Sequence, residues 1–143
     1  MSREDFHFNH PFRVRYAEID GQKFVFNAHY LTYFDTAITE YFRWLPFDYL
    51  KHIEQTGCDF HTARALVEYK APIRFDEKIN VFIRTFRVGR SSLVFAIAIY
   101  VENEDQPRAT GEVIWVHTDQ ETGKSTPLYP GLVALIQKRD GDS

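Results

Sequence analysis

Between Asn27 and Pro46 the chain carries one broad apolar stripe at helical spacing. Tyr30, Leu31, Phe34, Ala37, Ile38, Tyr41, Phe42 and Leu45 lie one, three or four positions apart, and Thr32, Asp35, Thr36, Thr39, Glu40 and Arg43 fill the rest. Asn27 is suited to cap the helix start with its side chain. Pro46, which has no N–H to donate, stops it. At 1.5 Å per residue such a helix is about 27 Å long, enough to cross a small domain. A stripe that wide needs a large apolar surface to cover it.

The rest of the chain supplies strands. Phe12 to Ala17 alternates apolar and charged side chains after a polar stretch, residues 1–9, that is expected to be frayed or loosely docked. Glu18 to Phe26, with Gly21, Gln22 and Lys23, reads as a loop. Asp48 to Thr56 is predicted to be a short helix, capped by Asp48 and ended by Gly57. Strand patterns follow over 63–70, 79–84, 93–101 and 109–118, separated by turns at Gly89-Arg90-Ser91, at 103–106 and at Glu121-Thr122-Gly123. Leu132 to Lys138 is a candidate terminal helix. Consecutive strands joined by tight turns form an antiparallel sheet. The expected class is α+β: a curved, mostly antiparallel sheet of about five strands around one long helix. One helix cannot cover both faces of a sheet, so the open face and the edges invite self-association.

A chain of 143 residues suits a single domain, 1–143, with a core that needs no disulfide or metal. Its net charge of −3 and lack of a basic block give nucleic acid no purchase. The one cysteine, Cys58, excludes an internal disulfide and suits a reducing cytoplasm. The polar N-terminus has no signal-type apolar segment, and no apolar run reaches membrane-spanning length. With 13 Phe and 8 Tyr, much aromatic surface must sit in a core, an interface or an apolar ligand site.

Asp20 is the foremost candidate for chemistry. A carboxylate ahead of a helix either caps a turn or works as nucleophile or general base beside the helix N-terminal amides, which can hold a developing oxyanion. Asp35 and Glu40 are helix-borne alternatives, and both suit a polar face or a pairing with Arg43. His29, near the helix start, could reach a ligand. The other histidines are scattered, no HxxxH or HExxH occurs, and no metal site is expected. Arg87 to Ser92, with two arginines, two serines and a glycine turn, has the makings of a phosphate clamp, although arginines at a hairpin also serve as plain surface charge. Nucleotide-binding glycine loops are absent.

Several segments together are similar to a known family. Arg15-Tyr16-Ala17-Glu18-Ile19-Asp20, Val25-Phe26-Asn27-Ala28-His29-Tyr30, Phe34-Asp35, the run Tyr69 to Asp76, the run Arg87 to Leu93 and Ala109-Thr110-Gly111-Glu112 occur in the order found in hotdog-fold acyl-CoA thioesterases of the 4-hydroxybenzoyl-CoA thioesterase-like group. The resemblance spans roughly residues 11–137. It implies a hotdog fold and hydrolysis of an acyl-CoA thioester. Asp20 then falls on the catalytic carboxylate, and the polarising amide on or beside Asn27. Phe26 and Tyr30 are implied to contact the substrate, and Arg90, Ser91 and Ser92 the CoA. No metal or redox cofactor is implied, and the expected assembly is a homodimer or homotetramer with sites at the subunit interface. The alternative is a hotdog module that binds acyl thioesters or assembles with partners without catalysis; a dehydratase of the same fold would lean on His29. The chain departs from the family twice. Lys23 stands where Gly is usual, with Gly21 beside the Asp instead, so the loop is expected to turn differently; Asp76 also replaces a common Gly.

Overall fold

In the computed structural model, which describes residues 1–141, the apolar stripe is a buried helix, α1 (His29–Trp44). Before it comes β1 (Phe8–Arg13), and after it α2 (Tyr49–Thr56), β2 (Cys58–Tyr69), β3 (Lys78–Val88), β4 (Ser92–Val101), β5 (Ala109–Asp119) and α3 (Pro130–Asp140). All five strands join one antiparallel sheet in the order β1-β3-β4-β5-β2. The sheet curves around α1 in the hotdog arrangement. Phe34, Ile38 and Tyr41 of the helix and Leu45 just after it are fully buried, as are Ile79 and Ile83 of β3 and Leu93, Phe95, Ile97 and Ile99 of β4. Gly111 lets the layers approach: a Cβ there would overlap the Phe34 ring and stand 2.6 Å from the Leu66 carbonyl oxygen.

Two expectations at the N-terminus are corrected. The first strand is Phe8–Arg13 rather than Phe12–Ala17, and Tyr16–Glu18 is a 3-10 turn. Pairing with β3, from Phe8↔Ile83 to Arg13↔Lys78, overrides the weak local pattern around Asn9 and His10. The first residues are docked instead of frayed. The Arg3 guanidinium lies 5.3 Å from the Tyr100 ring centre and donates to the Glu104 carbonyl, and Phe6 packs on Phe82. The second helix is as expected: Asp48 accepts from the Lys51 amide, and Gly57 ends the helix at φ +68°.

The C-terminal helix packs into the same core as α1, through Leu132 and Ile136, and lays Arg139 over Trp44. Asp140, whose side chain is fully buried, accepts from the Tyr41 hydroxyl at 2.6 Å and from the Thr85 amide at 2.9 Å, and meets His7 Nδ1 at 3.0 Å. The Thr85 amide needs this partner because the β3–β4 register slips between Thr85 and Arg87. Among the described residues no helix is long and apolar enough to cross a membrane.

Candidate active site

The loop between β1 and α1 is a tight turn clipped to the sheet. Asp20 donates its amide to the Phe24 carbonyl at 2.9 Å, and Lys23 returns an amide bond to the Asp20 carbonyl at 2.9 Å. Ile19 bridges Val25, Phe24 bridges Arg74, and the Val25 amide bonds the Ile73 carbonyl at 2.8 Å. Closing this turn requires a left-handed residue, and it is Lys23, at φ +67°. The loop therefore turns where the family has its glycine, by forcing a lysine into the glycine conformation, and Gly21 is not the pivot. Asp76 does the same at φ +66°. Among the described residues Lys23 makes no ion pair with Asp20.

Asp20 is half-buried. One carboxylate oxygen, Oδ1, accepts from the Gln22 amide at 2.8 Å, so the residue does cap its turn. Among the described residues Oδ2 accepts nothing. The capping contact therefore engages one oxygen and leaves the other open to the cleft.

Beneath the loop lies Glu18, buried to 6% exposure, which the sequence reading passed over. Its carboxylate accepts from the Arg15 amide at 2.8 Å, the Arg15 guanidinium at 3.1 and 3.2 Å, and the Tyr33 hydroxyl at 2.8 Å. Burial opposes its charge, yet the Arg15 amide, Tyr33 and the Arg15 side chain together hold the carboxyl below its ordinary 4.5. The Glu18 carbonyl also accepts the Phe26 amide at 2.9 Å. Glu18 thus ties both ends of the Asp20 loop to α1.

Asn27 does not cap α1 with its side chain. Ala28 already has helical angles (φ −64°, ψ −25°) and no side-chain cap is made. Instead the first turn is tight: the His29 amide bonds the Phe26 carbonyl at 2.9 Å and the Tyr30 amide bonds the Asn27 carbonyl at 3.3 Å. These bonds leave the Asn27 and Ala28 amides without an acceptor among the described residues. The Tyr69 hydroxyl donates to the Asn27 carbonyl at 3.2 Å, and its ring meets Tyr30 edge-on at 4.8 Å. Asp20, Phe26, Asn27, Tyr30, Tyr69 and Lys70 line one open cleft of about 370 Å³.

The predicted CoA residues lie elsewhere. Arg90, Ser91 and Ser92 form the β3–β4 turn, where Ser92 pairs with Val116, whereas the cleft sits at the level of Ala109, which pairs with Ile99 and Tyr69. From Ser92 to Ile99 is about 23 Å at about 3.3 Å per residue. Within one chain the structure does not bring that turn to Asp20. At its end of the sheet it meets two features the sequence did not announce. One is a buried histidine pair, His52 and His117, with Nε2 atoms 2.9 Å apart. The other is a cavity of about 680 Å³ walled by Phe42, Phe47, Tyr49, Phe60 and Trp115. Among the described residues no three His, Cys, Asp or Glu side chains cluster as metal ligands would. His29 packs edge-on against Phe26, and Glu40 pairs with Arg43 on the helix surface.

Residues 14–136 match the family described as the thioesterase-like superfamily. The chain belongs to that family. Within the family it is 29% identical, over 131 residues, to the acyl-CoA thioester hydrolase YbgC of Escherichia coli O6:H1, covering 92% of this chain and 96% of that one. A thioesterase of Thermus thermophilus, solved with coenzyme A and zinc, superposes with a TM-score of 0.81 at 28% identity, covering 98% of each chain. The 1,4-dihydroxy-2-naphthoyl-CoA thioesterase Slr0204 of Synechocystis shares the fold, with a TM-score of 0.86 at 16% identity over 93% of this chain and 97% of that one.

Proposed function

We propose that this chain is a thioester hydrolase that cleaves acyl-CoA to free acid and CoA in the Asp20 cleft. One observation carries the reading: a carboxylate with a free oxygen shares a cleft with Asn27, whose amide, like that of Ala28 next to it, has no acceptor among the described residues. The Asn27 and Ala28 amides, aided by the positive end of α1, polarise the thioester carbonyl and hold the charge that builds on its oxygen. Asp20 Oδ2 attacks the carbonyl carbon, or takes a proton from the water that does; the C–S bond breaks and the CoA thiolate leaves, to be protonated by solvent. In the first case water then hydrolyses the acyl anhydride and frees Asp20. Phe26 and Tyr30 wall the reacting group. This chemistry calls on no metal and no redox cofactor. The acyl-CoA activity named for the Escherichia coli relative, and the coenzyme A held by the Thermus thioesterase, support the reading.

A homo-oligomer fits the same site. β2 is an edge strand, exposed from residue 61 to 66. Antiparallel pairing of two copies there sets the Tyr69 end of one against the Phe60 end of the other. That brings the Asp20 cleft of one copy toward the aromatic cavity, and toward the Arg90, Ser91 and Ser92 turn, of its partner.

Release of thiol from short, long and aromatic acyl-CoAs tests the reaction. Asp20→Asn is expected to lower kcat about 10²- to 10⁴-fold. A fully active Asp20→Asn enzyme would overturn the assignment. A wild-type protein that binds acyl-CoA and hydrolyses none of it would be the binding module instead.

A further inference from the structure

The Asp20 cleft has a cationic rim on its own chain. Lys70 lines the cleft, and Lys23 sits between the liners Gln22 and Phe24. Arg74 bridges Phe24 across the clip that holds the loop, with its guanidinium 5.5 Å from the Phe24 ring centre. All three are exposed. Among the described residues Lys23 and Arg74 have no ion pair, and the nearest carboxylate to Lys70 is that of exposed Glu68, at 3.8 Å. Arg108, the neighbouring arginine, is by contrast spent on Glu104, Glu77 and the Pro72 carbonyl. The carboxylate that lines the cleft is Asp20 itself, while Glu77, which accepts the Arg74 amide at 2.7 Å, is engaged by Arg108. Three exposed cations, of which only Lys70 has an ion-pair partner among the described residues, thus sit in or beside the lining of a cleft in a chain of net charge −3.

Lys23 adds a second argument. Its left-handed backbone costs about 1–2 kcal/mol in a residue with a side chain, and glycine would remove that cost. Strain of this kind marks places where a side chain is kept for what it does.

We propose that Lys23, Lys70 and Arg74 bind the phosphates of the CoA carrier. The inference rests on the thioesterase reading and assigns the phosphate contacts to the chain that holds Asp20, in place of the Arg90 turn, which only a second copy could bring near. A CoA thioester presents its diphosphate and ribose phosphate beyond a neutral pantetheine arm. The cleft takes the arm, and the rim meets the charges where it opens to solvent.

The test compares kcat/KM for one acyl group carried on CoA, on 4′-phosphopantetheine and on pantetheine, in wild type, Lys23→Gly, Lys70→Gln and Arg74→Gln. Each substitution is expected to lower the preference for the CoA ester over the pantetheine ester about three- to fivefold, an effect that shrinks as salt rises. The phosphopantetheine ester locates the contact: a preference kept there means the 4′-phosphate is the group bound. If the CoA preference is unchanged in all three variants, or collapses only in Arg90→Ala, the rim is wrong while the thioesterase reading stands. If wild type hydrolyses none of the esters, that reading falls. Calorimetric CoA affinity in the same variants then decides the rim: a loss sustains it and equal affinity rejects it.

Discussion

Lys23 holds a conformation that its own side chain disfavours, and the cause is the turn around Asp20. The backbone bonds between residues 20 and 24, with the clip to residues 73–74, leave position 23 no other way to close the loop. Lys23→Gly should therefore raise stability by about 0.5–1 kcal/mol, the relief being partly offset by the extra freedom glycine gives the unfolded chain. In thermal melts that is a rise of roughly 2–4 °C; an unchanged or lower Tm would show that the turn is not strained. The same variant is expected to lose CoA preference, so stability and function move in opposite directions at one residue. The place of Asp20 in a turn ahead of α1 was legible in the sequence because it depends on a local turn and a nearby helix. Glu18 was not: its worth comes from Tyr33, fifteen residues on, and from burial that no local pattern records. Asn27 was read correctly in place and wrongly in means, since its neighbour Ala28 already has helical angles and the side chain is not needed as a cap.

At the scale of elements, the contact of α1 with the sheet hinges on Gly111. It faces Phe34 so closely that any Cβ collides with the ring or the Leu66 carbonyl. Gly111→Ala should cost about 1–3 kcal/mol, read as a lower denaturation midpoint with an unchanged m-value. The junction of α2 with β5 carries a pH dependence. His117 Nδ1 lies 3.0 Å from the Pro127 carbonyl and so bears a proton, which leaves its Nε2 to accept from His52 Nε2. Burial first, then the His117 neighbour, push the His52 imidazole below its ordinary 6.5, with Asp59 opposing them weakly. Above pH 6.5 folded and unfolded His52 are both neutral and stability is flat. Below 6.5 the unfolded chain protonates His52 more readily than the folded chain does, so stability falls. Urea midpoints measured between pH 8 and about pH 5 should show that drop, and His52→Phe should reduce it. The helices and the last three strands were legible because their spacing is regular and their turns carry Gly or Asn. The first strand was misplaced, and the histidine pair unseen, because both are set by partners far away in the chain.

For the whole molecule the open question is what covers the β2 edge. The strand ends the sheet with residues 61 to 66 exposed; Leu31, which borders the groove between α1 and β2, and Leu66, on the strand itself, stay 44% and 39% exposed. Unpaired edge groups beside apolar side chains favour a second copy. A two-fold axis across the edge, if the proposed dimer forms, would bring together parts of one predicted site that lie about 23 Å apart in a single chain, from Ser92 to Ile99. Such a pairing would set the partner's aromatic cavity opposite the Asp20 cleft, where an acyl group would enter it. The purified chain is expected to sediment as a dimer, or as a tetramer built from such dimers. Leu31→Glu with Leu66→Glu alters side chains that a single copy leaves exposed, so the variant should keep its circular dichroism spectrum. Its mass should drop to that of one chain, and hydrolysis of bulky acyl-CoAs should fall at least tenfold, because the acyl wall is then missing. A wild-type monomer with full activity would show that one chain is sufficient and that the aromatic cavity serves something other than the Asp20 site.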